Sequence, residues 1–584
     1  MLRRLSLVVL SVSILSGCSL LSVKEHQARP NVVIVMTDDQ GVGDFGFMGN
    51  PIIRTPHLDK MASRSVHMTN FWVSPVCAPT RASLMTGRYN YRTRCIDTYI
   101  GRAMMDTAEV TLAEHFSAGG YATGIFGKWH LGDNAPMRPQ DQGFDEVLVH
   151  RGGGIGQPSD VIGAEGKYTD PTLIHNGQET AFTGYCTDIY FNHAMQFMAE
   201  QKAKNKPFLS VITTNAPHGP FHDVPEDLYQ AYKQVDFAPY SVQPLNDKLH
   251  DNLRRIGAMI TNVDDNMGSL FAFLKDKGLY DNTIVIFLTD NGPNSLRYVG
   301  PYRGMKSHVH TGGIHTPLLF HWPDVIKTGV TRSQLAAHYD IAPTLLAACD
   351  INKQGDLPFD GVNVLPAILY GQQVAPDRSL YIQTHRGDKP ESEHHFAVVG
   401  PQYKLLRPSG FGRETNPGNV PLELYDYRAD PGERQDLAAS EPERLQSMLA
   451  DYQRWFSDVS TTRPDNYAPP RIEVGRQDEN PVVLTRQDWR HFQGRPWAGG
   501  SNGKWLLTLS KSLNVSLQFY LAKNESHPKI IRIMNGDDLI RTVNITDNEL
   551  LIENVVLPRG NVDLWFELVR DETTVGPYQV HVHF

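Results

Sequence analysis

Cysteine is rare in this sequence, with five among 584 residues. They stand at Cys18, Cys77, Cys95, Cys186 and Cys349, too few and too scattered for a disulfide scaffold. A chain of 65.5 kDa exceeds what one hydrophobic core usually serves, so two or more folding units are expected instead. An excess of positive charge is also missing. Lys and Arg number 55 against 64 Asp and Glu, a net charge of −9, which argues against broad nucleic-acid binding. It leaves room for a local cationic pocket that takes an anionic substrate. No apolar run reaches bilayer length, and there is no internal repeat and no low-complexity tract.

What is there begins at the N-terminus. Arg3 and Arg4 precede an apolar run from Leu5 to Leu15, then Leu15-Ser16-Gly17-Cys18. A basic start, a short apolar stretch and small residues describe a secretory signal over residues 1–17. The ending resembles a bacterial lipobox, which implies export, a lipid on Cys18 and a membrane anchor. Ser19 after it resembles outer-membrane sorting, facing the periplasm or the cell surface. Residues 18–30 then read as a tether. Cys95, Cys186 and Cys349 read as buried thiols.

Asn31–Met36 is a continuous apolar, β-branched run, and Thr283–Leu288 is a second. Such runs suit strands buried on both faces. Helical patterns lie between them over 55–65, 109–119, 187–201 and 251–277, the last stopping at Gly278. The alternation predicts an α/β fold: a large mixed, mainly parallel sheet flanked by helices over 31–370, with ligands at the carboxyl ends of its strands. Short strands and one helix over 371–457 predict a small antiparallel C-terminal subdomain. Residues 458–502, rich in Pro, Arg and Gln, read as a linker. Alternating strands over 503–584 predict an accessory β-sandwich-like domain.

The chemistry gathers at strand ends. Asp38 and Asp39 directly follow the first buried run, and Asp290 and Asn291 the second. One Asp-Asp pair alone reads as a turn or a helix cap. Two pairs at matched positions of one sheet edge offer hard oxygen ligands, suited to Ca²⁺, with Mg²⁺ as the second choice.

Cys77-Ala78-Pro79-Thr80-Arg81 lies in VSPVCAPTRASLMTGR. This Cys-x-Pro-x-Arg, followed by Leu-Met-Thr-Gly-Arg, resembles the signature of the type I formylglycine-dependent sulfatases. That family belongs to the alkaline phosphatase-like superfamily and includes bacterial polysaccharide sulfatases. The resemblance implies that a maturation enzyme, formylglycine-generating or anaerobic sulfatase-maturating, oxidises Cys77 to 3-oxoalanine (formylglycine), which also faces the metal. The hydrated aldehyde carries two hydroxyls. One attacks sulfur, giving a covalent sulfate ester and releasing the alcohol; the other, once deprotonated, collapses to the aldehyde and expels sulfate. Without the motif, Cys77 reads as a structural thiol.

Further elements follow in family order. Gly127-Lys128-Trp129-His130-Leu131-Gly132, Ala216-Pro217-His218-Gly219-Pro220 and Arg303-Gly304-Met305-Lys306 each match the family's pattern. The resemblance, which spans about 31–457, implies that Arg81 and Lys128 hold the formylglycine oxygens. It makes His130 the base that releases sulfate, His218 the proton donor to the leaving oxygen, and Lys306 a sulfate or leaving-oxygen contact. Each histidine singly reads as a core or loop residue.

One departure stands out: after Lys306 the family has a Glu and an Arg where this chain has Thr311 and His315. That puts supporting contacts and substrate preference in doubt. The Gly-rich stretch 151–168 reads either as a wall of the substrate cleft or as a surface loop. Export and the accessory β domain fit a sulfated carbohydrate such as ulvan, carrageenan or fucoidan. Two alternatives stand beside this: a phosphonate or phosphate monoester hydrolase on the same scaffold, and an inactive sulfated-glycan-binding lipoprotein.

Overall fold

The computed structural model describes residues 29–164, 166–523, 525–546, 550–570 and 573–584. The secretory signal and the lipidated Cys18 expected from the sequence lie outside the described residues. Among the described residues no helix is long and apolar enough to cross a membrane.

The apolar run at the start folds as β1 (Asn31–Thr37). Both of its faces are buried: Val32, Ile34 and Met36 join one core, and Val33 and Val35 join another on the opposite side of the sheet. A residue with no solvent-facing neighbour has no use for polar alternation, which is why this strand reads as continuously apolar. The remaining strands of the sheet are β2 (Val66–Trp72), β3 (Ala122–Lys128), β4 (Glu146–His150), β5 (Thr172–His175), β6 (Gln178–Ala181), β7 (Phe208–Thr213), β8 (Thr283–Thr289), β9 (His315–His321), β10 (Val330–Arg332) and β11 (Ala336–Ala337). Their order is β10-β2-β9-β8-β1-β7-β3-β4-β5-β6, with β11 also on β2. The centre from β8 through β4 is parallel, and β9, β5 and β6 run antiparallel to their neighbours.

Among the flanking helices are α1 (Pro56–Ala62), α2 (Cys77–Thr86), α3 (Leu112–Ala118), α4 (Cys186–Ala203), α5 (Glu226–Tyr232) and α6 (Asp247–Asp276). Apolar residues of α1, α4 and α6 fill the Val33 side, and those of α2 and α3 the Val32 side. Helix α6 starts earlier than its apolar pattern, because Asn246 caps it by accepting from the Leu249 N–H at 2.9 Å. Lys277 then closes it, with Gly278 at φ +60° just beyond.

Strands 380–383, 396–399, 403–407 and 423–426 form the small antiparallel sheet. Helix 442–460 covers it, with Tyr452 stacked on Phe396 at 3.8 Å between ring centroids. The C-terminal strands form two further sheets around Trp505, Phe519, Phe566 and Val580.

The expected linker 458–502 is structured instead. It carries strands 472–474, 482–485 and 490–493, each paired into or beside the C-terminal sheets. Ion pairs Arg138–Asp478 and Arg476–Asp141 tie it to the large domain. Met104 and Met137 insert into the C-terminal core, so the β unit and the large domain share apolar packing. The strands are short and their charged residues find partners far away in sequence, so no local periodicity reveals them.

Many histidines are buried and uncharged. Burial pushes His115, His315, His321, His338 and His385 down to about 4, and His395 to about 3. An unfolded histidine takes its proton near pH 6.5, while these stay neutral until about pH 4. Between those values the unfolded chain binds more protons, so stability rises with pH there. The full contribution is present above pH 6.5 and is lost as pH falls towards 4, by about 1.4 kcal/mol per histidine for each unit of depression. Thermal melts across pH 7.5 to 4 should show the decline starting near 6.5; a melting temperature flat to pH 5 would refute it.

Candidate active site

Register brings the acidic pairs together. Strands β1 and β8 are parallel and in step, with Thr37 opposite Thr289, so Asp38-Asp39 and Asp290-Asn291 leave the sheet side by side. Asp39, at φ +61°, donates its N–H to Asp290 Oδ1 at 3.2 Å, and Asn291 Nδ2 donates to Asp39 Oδ1 at 2.8 Å. Strand β3 ends two places away across β7 and delivers Lys128, whose Nζ donates to Asp38 Oδ2 at 2.7 Å. Gly127, at φ +124°, makes this approach possible: a Cβ there would stand 1.8 Å from the Thr213 carbonyl oxygen.

Cys77 is the first residue of α2, buried and unbridged. Its Sγ lies within 4.8 Å of a carboxylate oxygen each from Asp38 and Asp290. Burial pushes the Cys77 thiol up against the opposing pull of Lys128 and Lys306. One turn later Arg81 donates from Nη1 to the Lys128 carbonyl and from Nη2 to Asp290 Oδ2, both at 2.8 Å. Lys306 Nζ reaches Asp39 Oδ1 at 2.5 Å. Burial works against ionising Asp39, but Lys306 and then His218 outweigh it and hold its carboxyl below the usual range. For Asp290, burial and the neighbouring Asp38 carboxylate push the value up to about 6, against the pull of Arg81.

Three carboxylates therefore meet three cationic side chains. Yet Asp38 Oδ1, Asp39 Oδ2 and Asn291 Oδ1 are buried without a hydrogen-bond partner among the described residues. Buried oxygens left without donors cost free energy unless a cation faces them. These oxygens, with Asp290 beside them, fit a hard divalent ion. Adding one would turn a balanced cluster into a net cationic pocket, suited to an anion.

The two histidines sit at the mouth. His130, at φ +61°, directs Nε2 to the Thr98 carbonyl at 2.8 Å. That carbonyl can only accept, so Nε2 carries the proton and the buried Nδ1 keeps a free lone pair. Burial, followed by Lys128, pushes His130 well below its ordinary value. His218 donates Nδ1–H to the Gly219 carbonyl at 2.6 Å and turns Nε2 to Asp39 Oδ2 at 3.6 Å. Burial takes it down to about 4.

All ten expected site residues thus gather at one sheet edge. The structure adds Gln487, which comes from the stretch expected to be a linker. Its Nε2 donates to the Thr98 carbonyl at 2.9 Å and lies 3.3 Å from His130 Nε2. Buried Arg486 fixes this segment through the carbonyls of Gly576 and Pro577, each at 3.0 Å. Nothing local in the sequence marks Gln487. His150 was also missed; it meets Asn215 Nδ2 at 2.6 Å beneath the site.

The Gly-rich stretch packs directly on the histidines. A Cβ on Gly153 would stand 2.5 Å from His130 Cε1 and Nε2, and one on Gly154 3.0 Å from His218 Cε1. Gly153→Ala must therefore displace the His130 ring from Thr98. We expect kcat to fall about 100-fold, the scale set by a 1 Å misplacement, with little change in melting temperature. An unaltered kcat would show that this wall does not position His130.

At Thr311 an acidic group arrives from elsewhere in the chain. Glu433 accepts from the Thr311 N–H at 3.0 Å and its hydroxyl at 2.9 Å, and pairs with buried Lys404 at 2.6 Å. His315 packs on Trp72 and Tyr302 and directs Nε2 to the Thr69 carbonyl, a core position.

Comparison with known proteins agrees with this geometry. The family model "Sulfatase" matches residues 30–351, and "N-sulphoglucosamine sulphohydrolase, C-terminal" matches residues 305–454. Human arylsulfatase A is 30% identical over 465 residues, covering 72% of this chain and 86% of that protein. Human N-acetylgalactosamine-6-sulfatase is 29% identical over 504 residues, covering 76% and 90%. Among solved structures, Ps i-CgsB in complex with k-i-k-neocarrahexaose superposes with a TM-score of 0.64 at 26% identity, covering 73% of this chain and 92% of that one.

Proposed function

Starting from a chain that belongs to the sulfatase family and hydrolyses sulfate esters, we propose that Cys77, matured to formylglycine, is its nucleophile and a sulfated carbohydrate its substrate. The observation that carries this reading is the Cys77 Sγ lying against Asp38 and Asp290, beside carboxylate and amide oxygens that have no donor among the described residues. The alkaline phosphatase-like fold, with its large mixed sheet, supplies the edge on which they meet.

Asp38, Asp39, Asp290 and Asn291 would hold the divalent ion, Ca²⁺ by their hard oxygen chemistry. That ion would supply Lewis acidity, and a formylglycine at position 77 would supply the hydroxyl chemistry of an aldehyde hydrate. The chain's own residues do the rest. Arg81 is fixed at two nitrogens, so its charge needs no reorganisation when negative charge builds on the sulfate oxygens. Lys128 and Lys306 add to the same field. His130, neutral and with Nδ1 free, accepts the proton of the second hydroxyl. His218 gives a proton from Nε2 to the leaving oxygen only in its doubly protonated form, which Asp39 favours and burial and Lys306 oppose.

The carbohydrate reading is supported by the carrageenan-type hexaose bound by Ps i-CgsB and by the sugar sulfate in the name of N-acetylgalactosamine-6-sulfatase. An algal-type polysaccharide or fragment is the substrate class we favour. Export as a lipoprotein through residues 1–17 and Cys18 belongs to the same proposal; a Cys18→Ala chain should leave the membrane fraction.

The test is peptide mass spectrometry around Cys77 after co-expression with a maturation enzyme, then assay on sulfated oligosaccharides and on aryl sulfate and phosphonate esters. We expect the aldehyde at Cys77, with sulfate esters turned over faster than phosphonates. Sulfate release from a chain whose Cys77 remains a thiol would overturn the mechanism.

A further inference from the structure

Arg102 is fully buried, and its Nε, Nη1 and Nη2 have no hydrogen-bond partner among the described residues. An unpaired buried charge is among the most costly features a fold can carry, so it calls for a compensating group. Arg102 sits on a cavity of about 710 Å³ between the small antiparallel subdomain and the C-terminal β unit. Arg490, Lys389, Arg471, Lys504 and His491 also line it. Asp563 neutralises Arg471 and Lys504, each at 2.9 Å. Arg490 leans on Asp388, whose side chain is 72% exposed and so exchanges readily with solvent. Lys389 is exposed at the rim.

Asp465, the remaining carboxylate of the lining, is held by Arg94 at 2.9 Å, so two guanidinium groups share a floor with too little anionic charge. Burial, opposed in part by Cys95 and Asp97, pushes Arg102 down to about 10; burial and then Arg102 itself push Arg490 down to about 9. The cavity is separate from the Cys77 pocket. Its wall is the loop 97–102, where Thr98 faces His130 on one side and Arg102 faces the cavity on the other. Arg490 binds the Ile100 carbonyl in that same wall, three residues beyond Gln487.

We propose that this cavity is a second oxyanion site, in which a sulfate group bridges Arg102 and Arg490 with Lys389 at its rim, displacing Asp388. Guanidinium forks match the oxygens of a tetrahedral anion, and the carboxylate of Asp388 occupies the Arg490 side of that position. The sulfate can come from free inorganic sulfate, the product of the activity proposed above, or from a further sulfate ester on the glycan. The second source rests on the carbohydrate reading; the first does not.

The experiment uses the full chain with His218→Ala and Lys306→Ala, which weakens sulfate binding at the Cys77 pocket. Sodium sulfate is titrated calorimetrically against sodium chloride at equal ionic strength, followed by a sulfated carrageenan hexaose. We expect one sulfate-dependent site, lost in Arg102→Met and weakened at least tenfold in Lys389→Glu, a surface change that leaves folding intact. Arg102→Met should also melt at or above its parent's temperature, because it removes an unpaired charge. A hexaose bound more than tenfold tighter than the inorganic ion, and lost in Arg102→Met, assigns the site to glycan; equal affinity assigns it to free sulfate. Binding of neither, or an Arg102→Met chain that melts well below its parent, would overturn the proposal. Turnover of a small aryl sulfate by the Arg102→Met single variant should stay within twofold, which separates this site from the catalytic reading.

Discussion

Cys77→Ala is expected to lose sulfate-ester turnover by roughly a million-fold, the scale on which removing a nucleophile acts in a preorganised hydrolase. Little else should change. The side chain is buried at the first turn of α2, and that helix is held by its own ladder and by Gly87 at φ +67°, neither of which uses the sulfur. The thiol is already unfavourable to ionise, since burial pushes it up, so no stabilising charge is lost with it. Removing one buried sulfur leaves a small cavity worth about 1 kcal/mol, far below what would unfold the chain. Arg81, Lys128 and Lys306 would keep their partners and the pocket its charge. Substrate affinity should therefore survive while kcat collapses. Initial rates on an aryl sulfate, with a melting curve of the same preparation, check both halves. Residual turnover above a thousandth of the parent would mean that another group attacks sulfur.

Asp290→Ala should damage stability and activity together. Asp290 accepts from Arg81 Nη2 and from the Asp39 N–H, and its removal leaves a buried guanidinium facing a void. Breaking one half of a buried ion pair costs about 3–5 kcal/mol. It also removes one of the oxygens that would grip the divalent ion, and with it much of the cationic field at sulfur. We expect turnover to fall at least a thousand-fold, the size of a lost transition-state donor, and the melting temperature to drop. Chelation gives the matching control. A strong chelator should lower the melting point of the parent, since a ligand bound only to the native state stabilises it. The same chelator should not affect Asp290→Ala. A chelator effect of equal size in both chains would place the ion elsewhere.

The apolar runs at β1 and β8 were legible because both faces of those strands are buried, which removes the ambiguity of a half-buried pattern. The outer strands were harder. Strand β9, HTPLLFH, mixes histidine and proline with apolar residues and is identified only by its antiparallel pairing with β2 and β8. The stretch 458–502 reads as unstructured because its short strands take their partners from outside it, Ile472 from Leu507 and Val482 from Val582. The site residues stood out as motifs because reacting groups need fixed local spacing, Cys77 and Arg81 on one helix turn being the plainest case.

By itself the sequence determined the Cys-x-Pro-x-Arg motif, the acidic pairs at two strand ends and the α/β class, because each is written in short local patterns. Only the tertiary structure decided that Thr37 lies opposite Thr289, which turns two separate acidic pairs into one cluster. It also decided that Glu433 supports Thr311, that Gln487 reaches His130, and that Arg102 has no hydrogen-bond partner among the described residues. The reason is physical: covalent neighbours share local geometry, whereas a partner hundreds of residues away is chosen by packing and register of the whole sheet.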